Sequence, residues 1–132
     1  MADQAARADS DALVFVYGSL RRGRSNHTQM AGCRWRGQAE LRGFALYDLG
    51  PFPMAVACQE PDCRLRGEVY AVNPQQLAAL DRFEGVPRLY ERIARPLDDG
   101  RWVWVYVGRA QQVRHVQRLN DGEWHGRQRP QG

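Results

Sequence analysis

The apolar residues of this chain fall in short runs cut by glycine and proline, and one stretch alone carries a full helix signature. That stretch is Asn73–Gly85. Asn73 suits the N-cap, Pro74 the first helical position, and Gln75 to Glu84 are rich in helix formers. Gly85 stands where a left-handed C′ residue is wanted. The other apolar runs read as strands. Leu13–Tyr17 is continuous and stops at Gly18-Ser19, a buried strand feeding a tight loop. Gln38–Leu41, Phe44–Tyr47, Met54–Ala57 and Gly67–Val72 follow, the last with the cleanest alternation. Gly50-Pro51-Phe52-Pro53 must be a stiff turn, since proline cannot donate to a central ladder. Leu89–Ala94 and Trp102–Val107 are joined as a hairpin through Asp98-Asp99-Gly100. Ser25 or Asn26 is placed to cap a short helix over His27–Met30. From Gln111 the chain is polar. Without regular strand–helix alternation, the expected fold is α+β: a small mixed, mainly antiparallel β-barrel flanked by one or two α-helices.

A chain of 132 residues suits one domain. Residues 1–11 lack an apolar pattern and are expected to be disordered, 12–124 to form the domain, and 125–132 a flexible tail. No apolar run approaches the roughly 20 residues needed to span a bilayer. The start of the chain is polar and acidic, unlike a secretory signal. Cys33, Cys58 and Cys63 form neither a C-x-x-C pair nor a zinc set with the histidines, so free thiols in a cytoplasmic setting are expected.

All 19 basic residues are arginine, a bias of the kind a GC-rich bacterial genome produces. Without lysine there is no Schiff-base chemistry. A net charge of +4 raises the question of nucleic acid. The arginines are scattered, however, and concentrate only at Arg21-Arg22-Gly23-Arg24 and in the tail, so a solvated basic surface is expected.

Chemistry concentrates in three places. Leu77, Leu80 and Glu84 share one helix face, two apolar positions and then a carboxylate. Glu84 also sits in the last turn, where the helix dipole is negative. Desolvation and dipole both disfavour its ionised form and raise its pKa, as a general acid/base requires; the competing placement has Glu84 reaching water past Gly85. Second, a strand ending in Gly18-Ser19 exposes consecutive N–H groups, a concave array suited to anions. It is not a Walker A loop, and Ser19 lacks the G-x-S-x-G context of a serine nucleophile. Third, Trp102, Trp104 and Tyr106 share a strand face, either as core or as a pocket wall beside Glu84 with the Tyr106 hydroxyl donating a hydrogen bond. Tyr90 admits the same two accounts. Asp81 is expected to face solvent and pair with an arginine.

These motifs together resemble the gamma-glutamylcyclotransferase-like family, which includes the AIG2-like proteins. The resemblance rests on Val14-Phe15-Val16-Tyr17-Gly18-Ser19-Leu20-Arg21-Arg22-Gly23 with Asn26-His27, and on Leu46-Tyr47-Asp48-Leu49-Gly50 with Pro53. It continues through Gly67-Glu68-Val69-Tyr70, Leu80-Asp81-Arg82-Phe83-Glu84-Gly85, Leu89-Tyr90-Glu91-Arg92, Tyr106 and Gly122-Glu123-Trp124. Glu123 stands where the family usually has aspartate. The resemblance implies an enzyme that releases 5-oxoproline from a small gamma-glutamyl substrate without metal or cofactor, and without nucleic acid or membrane as partner. It implies Glu84 as the catalytic residue and Tyr17, Gly18, Ser19 and Leu20 as the substrate loop, with Tyr90 and Tyr106 beside them. Branches of the family release different amines: an amino acid, the ε-amine of lysine or an aminoglycoside side chain. The oligomeric state and the identity of the amine are left open. Two other readings compete: a non-catalytic small-molecule binding module on the same fold, and an arginine-based nucleic-acid binder.

Overall fold

The first apolar run becomes the central strand of the larger of two sheets. The computed structural model describes residues 11–126. Its strands are β1 (Ala12–Val16), β2 (Arg34–Arg42), β3 (Phe44–Asp48), β4 (Pro53–Ala57), β5 (Arg64–Val72), β6 (Glu91–Pro96), β7 (Trp102–Val107) and β8 (Gln117–Leu119). One α-helix, α1 (Pro74–Phe83), lies between β5 and β6, and single 3₁₀ turns occupy His27–Met30 and Ala110–Val113. The larger sheet has the order β2-β5-β1-β7-β6 and the smaller β4-β3-β8. Every pairing is antiparallel except β1 with β7. The fold is thus α+β with antiparallel-dominated sheets. The expected barrel stays open as two sheets rather than closing into one.

β1 is apolar throughout because both its faces are covered. Phe15 packs into one core with Leu41, Phe44, Leu46 and Val105. Val14 and Val16 face a second core that holds Leu80 of α1 with Met30, Tyr70 and Tyr106.

The helix has the expected ends. Asn73 Oδ1 accepts from Gln76 N at 2.7 Å, and Gln76 Oε1 accepts from Asn73 N at 2.8 Å, a complete capping box. Glu84 is the C-cap, and Gly85 follows at φ +67°, a conformation that favours glycine. Asn26, by contrast, makes no side-chain cap for the His27 turn. Its amide donates to Ser19 Oγ instead, at 2.9 Å.

Pro53 opens β4 rather than ending the turn, which it can do because β4 is a sheet edge. The cysteine expectation needs correction. Cys58 and Cys63 form a disulfide, and Cys33 alone is free. The turn between β4 and β5 folds back and brings the two Cα atoms within 6.2 Å, so a spacing of five closes a bridge that a C-x-x-C search does not consider. The expected disordered start and flexible tail lie outside the described residues, save for Asp11, His125 and Gly126. Of these, Asp11 pairs with Arg34 at 2.6 Å and His125 with Asp121 at 3.0 Å. No helix among the described residues is long and apolar enough to cross a membrane.

Candidate active site

Five segments meet at one end of the parallel β1–β7 pair. They are the loop after β1, the end of β7, the β3–β4 turn, the C-terminus of α1 and the start of β6. Between them lies a cavity of about 170 Å³ lined by Tyr17, Gly18, Ser19, Leu20, Glu84, Tyr90 and Tyr106, among others. Every residue singled out in the sequence for catalysis or substrate binding is therefore on one surface. Asn26, Phe52, Pro53, Phe83 and Leu89 line it as well. Periodicity did not mark these, because they lie in turns or at element ends where no pattern develops.

Glu84 reaches the cavity because α1 ends there. Leu80, one turn earlier, is fully buried and fixes the helix face. The C-cap position then places the Glu84 carboxyl at the cavity wall rather than in open water. Burial pushes its pKa up to about 7. Desolvation, one of the two causes expected from the sequence, raises it. Among the described residues, no other charged side chain lines this cavity.

The three tyrosines have their hydroxyl protons committed elsewhere. Tyr17 donates to the Tyr106 carbonyl at 2.6 Å and accepts from Ala55 N at 3.0 Å, tying β1, β7 and β4 together. Tyr90 donates to the Pro53 carbonyl at 2.6 Å. Tyr106 donates to Asp81 Oδ1 at 2.8 Å. Burial raises all three phenol pKa values, and the nearby Glu84 carboxylate adds to the rise. The Tyr106 hydroxyl thus differs from its sequence expectation. Its proton points to Asp81, so it offers the cavity an acceptor and not a donor. Asp81 does pair with an arginine, Arg92, at 2.7 Å, and its second task is to hold Tyr106. Along the same strand face only Tyr106 reaches the cavity, whereas Trp102 is 63% exposed and Trp104 lies under the Arg92 guanidinium.

The loop after β1 supplies the complementary chemistry. Its carbonyls are engaged: Gly18 O accepts from Arg21 N at 3.1 Å, and Ser19 O from Asn26 N at 2.9 Å. The N–H groups of Gly18, Ser19 and Leu20 donate to no acceptor among the described residues. Buried Arg21 stiffens the loop from behind, bonded to the carbonyls of Gly18 and Trp124. Buried Glu68 accepts from Arg22 N at 3.0 Å. None of Arg21, Arg22 and Arg24 lines the cavity. Arg22 stacks on Trp35 and Arg24 donates to the His125 carbonyl.

One wall of this cavity thus offers free N–H donors, another hydroxyl acceptors and a carboxyl poised between its two forms. Such a site suits a small zwitterion and a proton transfer. Residues 14–126 match the family model described as gamma-glutamyl cyclotransferase, AIG2-like. The chain belongs to that family, and it is an enzyme of the gamma-glutamylcyclotransferase kind. It is 41% identical over 116 residues to a putative gamma-glutamylcyclotransferase of Vibrio cholerae, covering 85% of this chain and 94% of that one. It is 37% identical over 92 residues to the human gamma-glutamylaminecyclotransferase, covering 61% of this chain and 58% of that one. The solved structure of an AIG2-like protein from Mus musculus superposes with a TM-score of 0.74 at 26% identity, over 92% of this chain and 97% of that one.

Proposed function

We propose that this chain cleaves a gamma-glutamyl amide to 5-oxoproline and a free amine, with Glu84 as general base and then general acid. The observation that carries this reading is the Glu84 carboxyl, the one charged group among the described residues that lines the cavity, raised to about 7. Near neutral pH both its forms are populated, so one residue can take a proton and return it.

The free N–H groups of Gly18, Ser19 and Leu20 hold either the substrate's α-carboxylate or the oxyanion that develops on its γ-carbonyl. The substrate's α-ammonium meets Glu84 and the hydroxyl oxygens. The Glu84 carboxylate removes one proton from the ammonium. The freed amine attacks the γ-carbonyl carbon, closing the five-membered ring. As the tetrahedral intermediate collapses, the leaving nitrogen takes the proton held by Glu84 and its bond to carbon breaks; the regenerated carboxylate then removes the second proton from the ring nitrogen and passes it to the departing amine, which leaves as an ammonium. Nucleophile and electrophile belong to one molecule, so the protein needs only to hold the cyclising rotamer and move a proton. No protein nucleophile, metal or cofactor enters these steps.

The test is 5-oxoproline release from a panel of γ-glutamyl amides by wild type and Glu84→Gln. Proton transfer of this kind is worth roughly 10²–10⁴-fold. A loss of that size in the variant, with the fold intact, supports the reading. Substantial turnover by Glu84→Gln overturns the assigned role, and no release by wild type favours the binding module.

A further inference from the structure

We infer that the amine this enzyme releases is apolar, carrying neither a carboxylate nor an ammonium on the part that leaves; this rests on the function proposed above. The cavity has two chemically different ends. Tyr17, Tyr90 and Tyr106 are buried and form its floor, together with buried Ser19 and Leu20 of the loop after β1. Phe83 and Leu89 also line it, yet they are 39% and 40% exposed, so they stand at its mouth. Phe52 joins them, its ring tilted 60° against that of Tyr90 with centroids 6.2 Å apart. Apart from Trp102, Phe83 and Leu89 are the exposed large hydrophobics among the described residues.

The zwitterionic end of a γ-glutamyl group requires donors and acceptors, which the floor supplies. The group beyond the scissile amide is thereby directed to the mouth, against Phe52, Phe83 and Leu89. Glu84, the one charged lining residue among those described, is already used by the α-amine. Arg82 and Arg88 neighbour Phe83 and Leu89 in sequence but do not line the cavity. A carboxylate or ammonium held within the mouth would therefore sit against apolar side chains with no counter-charge among the described lining residues. An alkyl or aryl amine instead covers exposed Phe83 and Leu89, and each methylene buried is worth roughly fourfold in binding.

The experiment compares kcat/KM for 5-oxoproline release from γ-glutamyl-n-pentylamide, γ-glutamyl-ε-lysine and γ-glutamyl-norleucine. The pentylamide is the lysine conjugate stripped of its charged end. A preference of at least tenfold for the pentylamide is expected, with a rise along the ethyl, propyl, butyl and pentyl series. Leu89→Asp is expected to cut that preference at least tenfold. Equal or better turnover of either charged substrate overturns the inference and leaves the proposed reaction standing. So does a preference for norleucine that Arg88→Ala removes, since Arg88 would then be gripping the carboxylate. Titration of the same amides into Glu84→Gln reads the mouth without turnover. Absence of release from every amide refutes the reaction, while the order of affinities still decides whether the mouth is selective for apolar groups.

Discussion

At the residue scale the account turns on Glu84, and the sign of its effect on stability can be worked out. Its carboxyl holds a proton more tightly in the fold, at about 7, than at the ordinary value of 4.5. The folded state therefore gains from this group below the unfolded value and loses that gain as pH rises through about 7. Glutamine carries no charge to desolvate. Glu84→Gln is expected to be more stable than wild type at pH 8.5, by up to about 3 kcal/mol, with the difference gone by pH 4. Urea denaturation at the two pH values reads it. An equal midpoint shift at both would show that burial does not penalise the ionised form. Ser19 is the contrasting case. Its hydroxyl accepts from Asn26 at 2.9 Å, and its proposed contact with substrate is through the backbone N–H. Ser19→Ala should cost less than tenfold in kcat/KM, and a complete loss would place the hydroxyl itself in the chemistry.

At the element scale, α1 and the loop after β1 make separable demands. The Asn73 cap lies at the far end of α1 from Glu84. Asn73→Ala is expected to lower stability by about 1 kcal/mol while leaving kcat and KM unchanged, measured by denaturation and by product assay. Gly18 is where the loop passes the β3–β4 turn. A Cβ there would meet Pro53 at 2.7 and 2.8 Å, both carbons of a ring that cannot swing aside. Gly18→Ala should thus displace the loop and cost at least tenfold in kcat/KM; wild-type kinetics in that variant would mean the loop can move without loss. Elements with one strong local signal were legible in the sequence. The helix carried its cap, proline and glycine, and β1 and β7 carried continuous apolar or aromatic runs. β2 was half seen, because its outward positions Arg34, Arg36, Gln38, Glu40 and Arg42 alternate as an edge strand does and dilute the apolar signal. β8 was missed, since Gln117–Leu119 is three residues held by pairing with β3 rather than by any pattern of its own.

At the scale of the whole molecule, the site is an intersection of elements distant in sequence, and that limits what a linear pattern can show. For Glu84 the pattern of α1 left two placements open, at the core edge or reaching water past Gly85, and the packing of the loop after β1 against the helix end decides between them. The direction of the Tyr106 hydroxyl was not legible either, because it depends on Asp81, which lies 25 residues earlier and across the helix–sheet packing. The Cys58–Cys63 bridge likewise depends on a turn whose shape the spacing does not reveal. Charge is also settled at this scale. Many of the scattered arginines face carboxylates of their own, among them Arg42 with Asp98, Arg92 with Asp81, Arg109 with Glu91 and Arg118 with Glu60. Retention on a polyanion column is expected to vanish at modest salt; a steep dependence persisting well above physiological ionic strength would indicate an organised nucleic-acid surface.

The central claim is that one half-buried carboxyl, tuned to neutrality by the fold, moves the proton in both directions. The most direct measurement is the pH dependence of kcat/KM for 5-oxoproline release by the wild-type protein. An acid limb with its inflection near 7 is predicted, because attack requires the Glu84 carboxylate and burial has raised its pKa to about 7. An inflection near the ordinary carboxylate value of 4.5, or the same limb persisting in Glu84→Gln, would contradict the account.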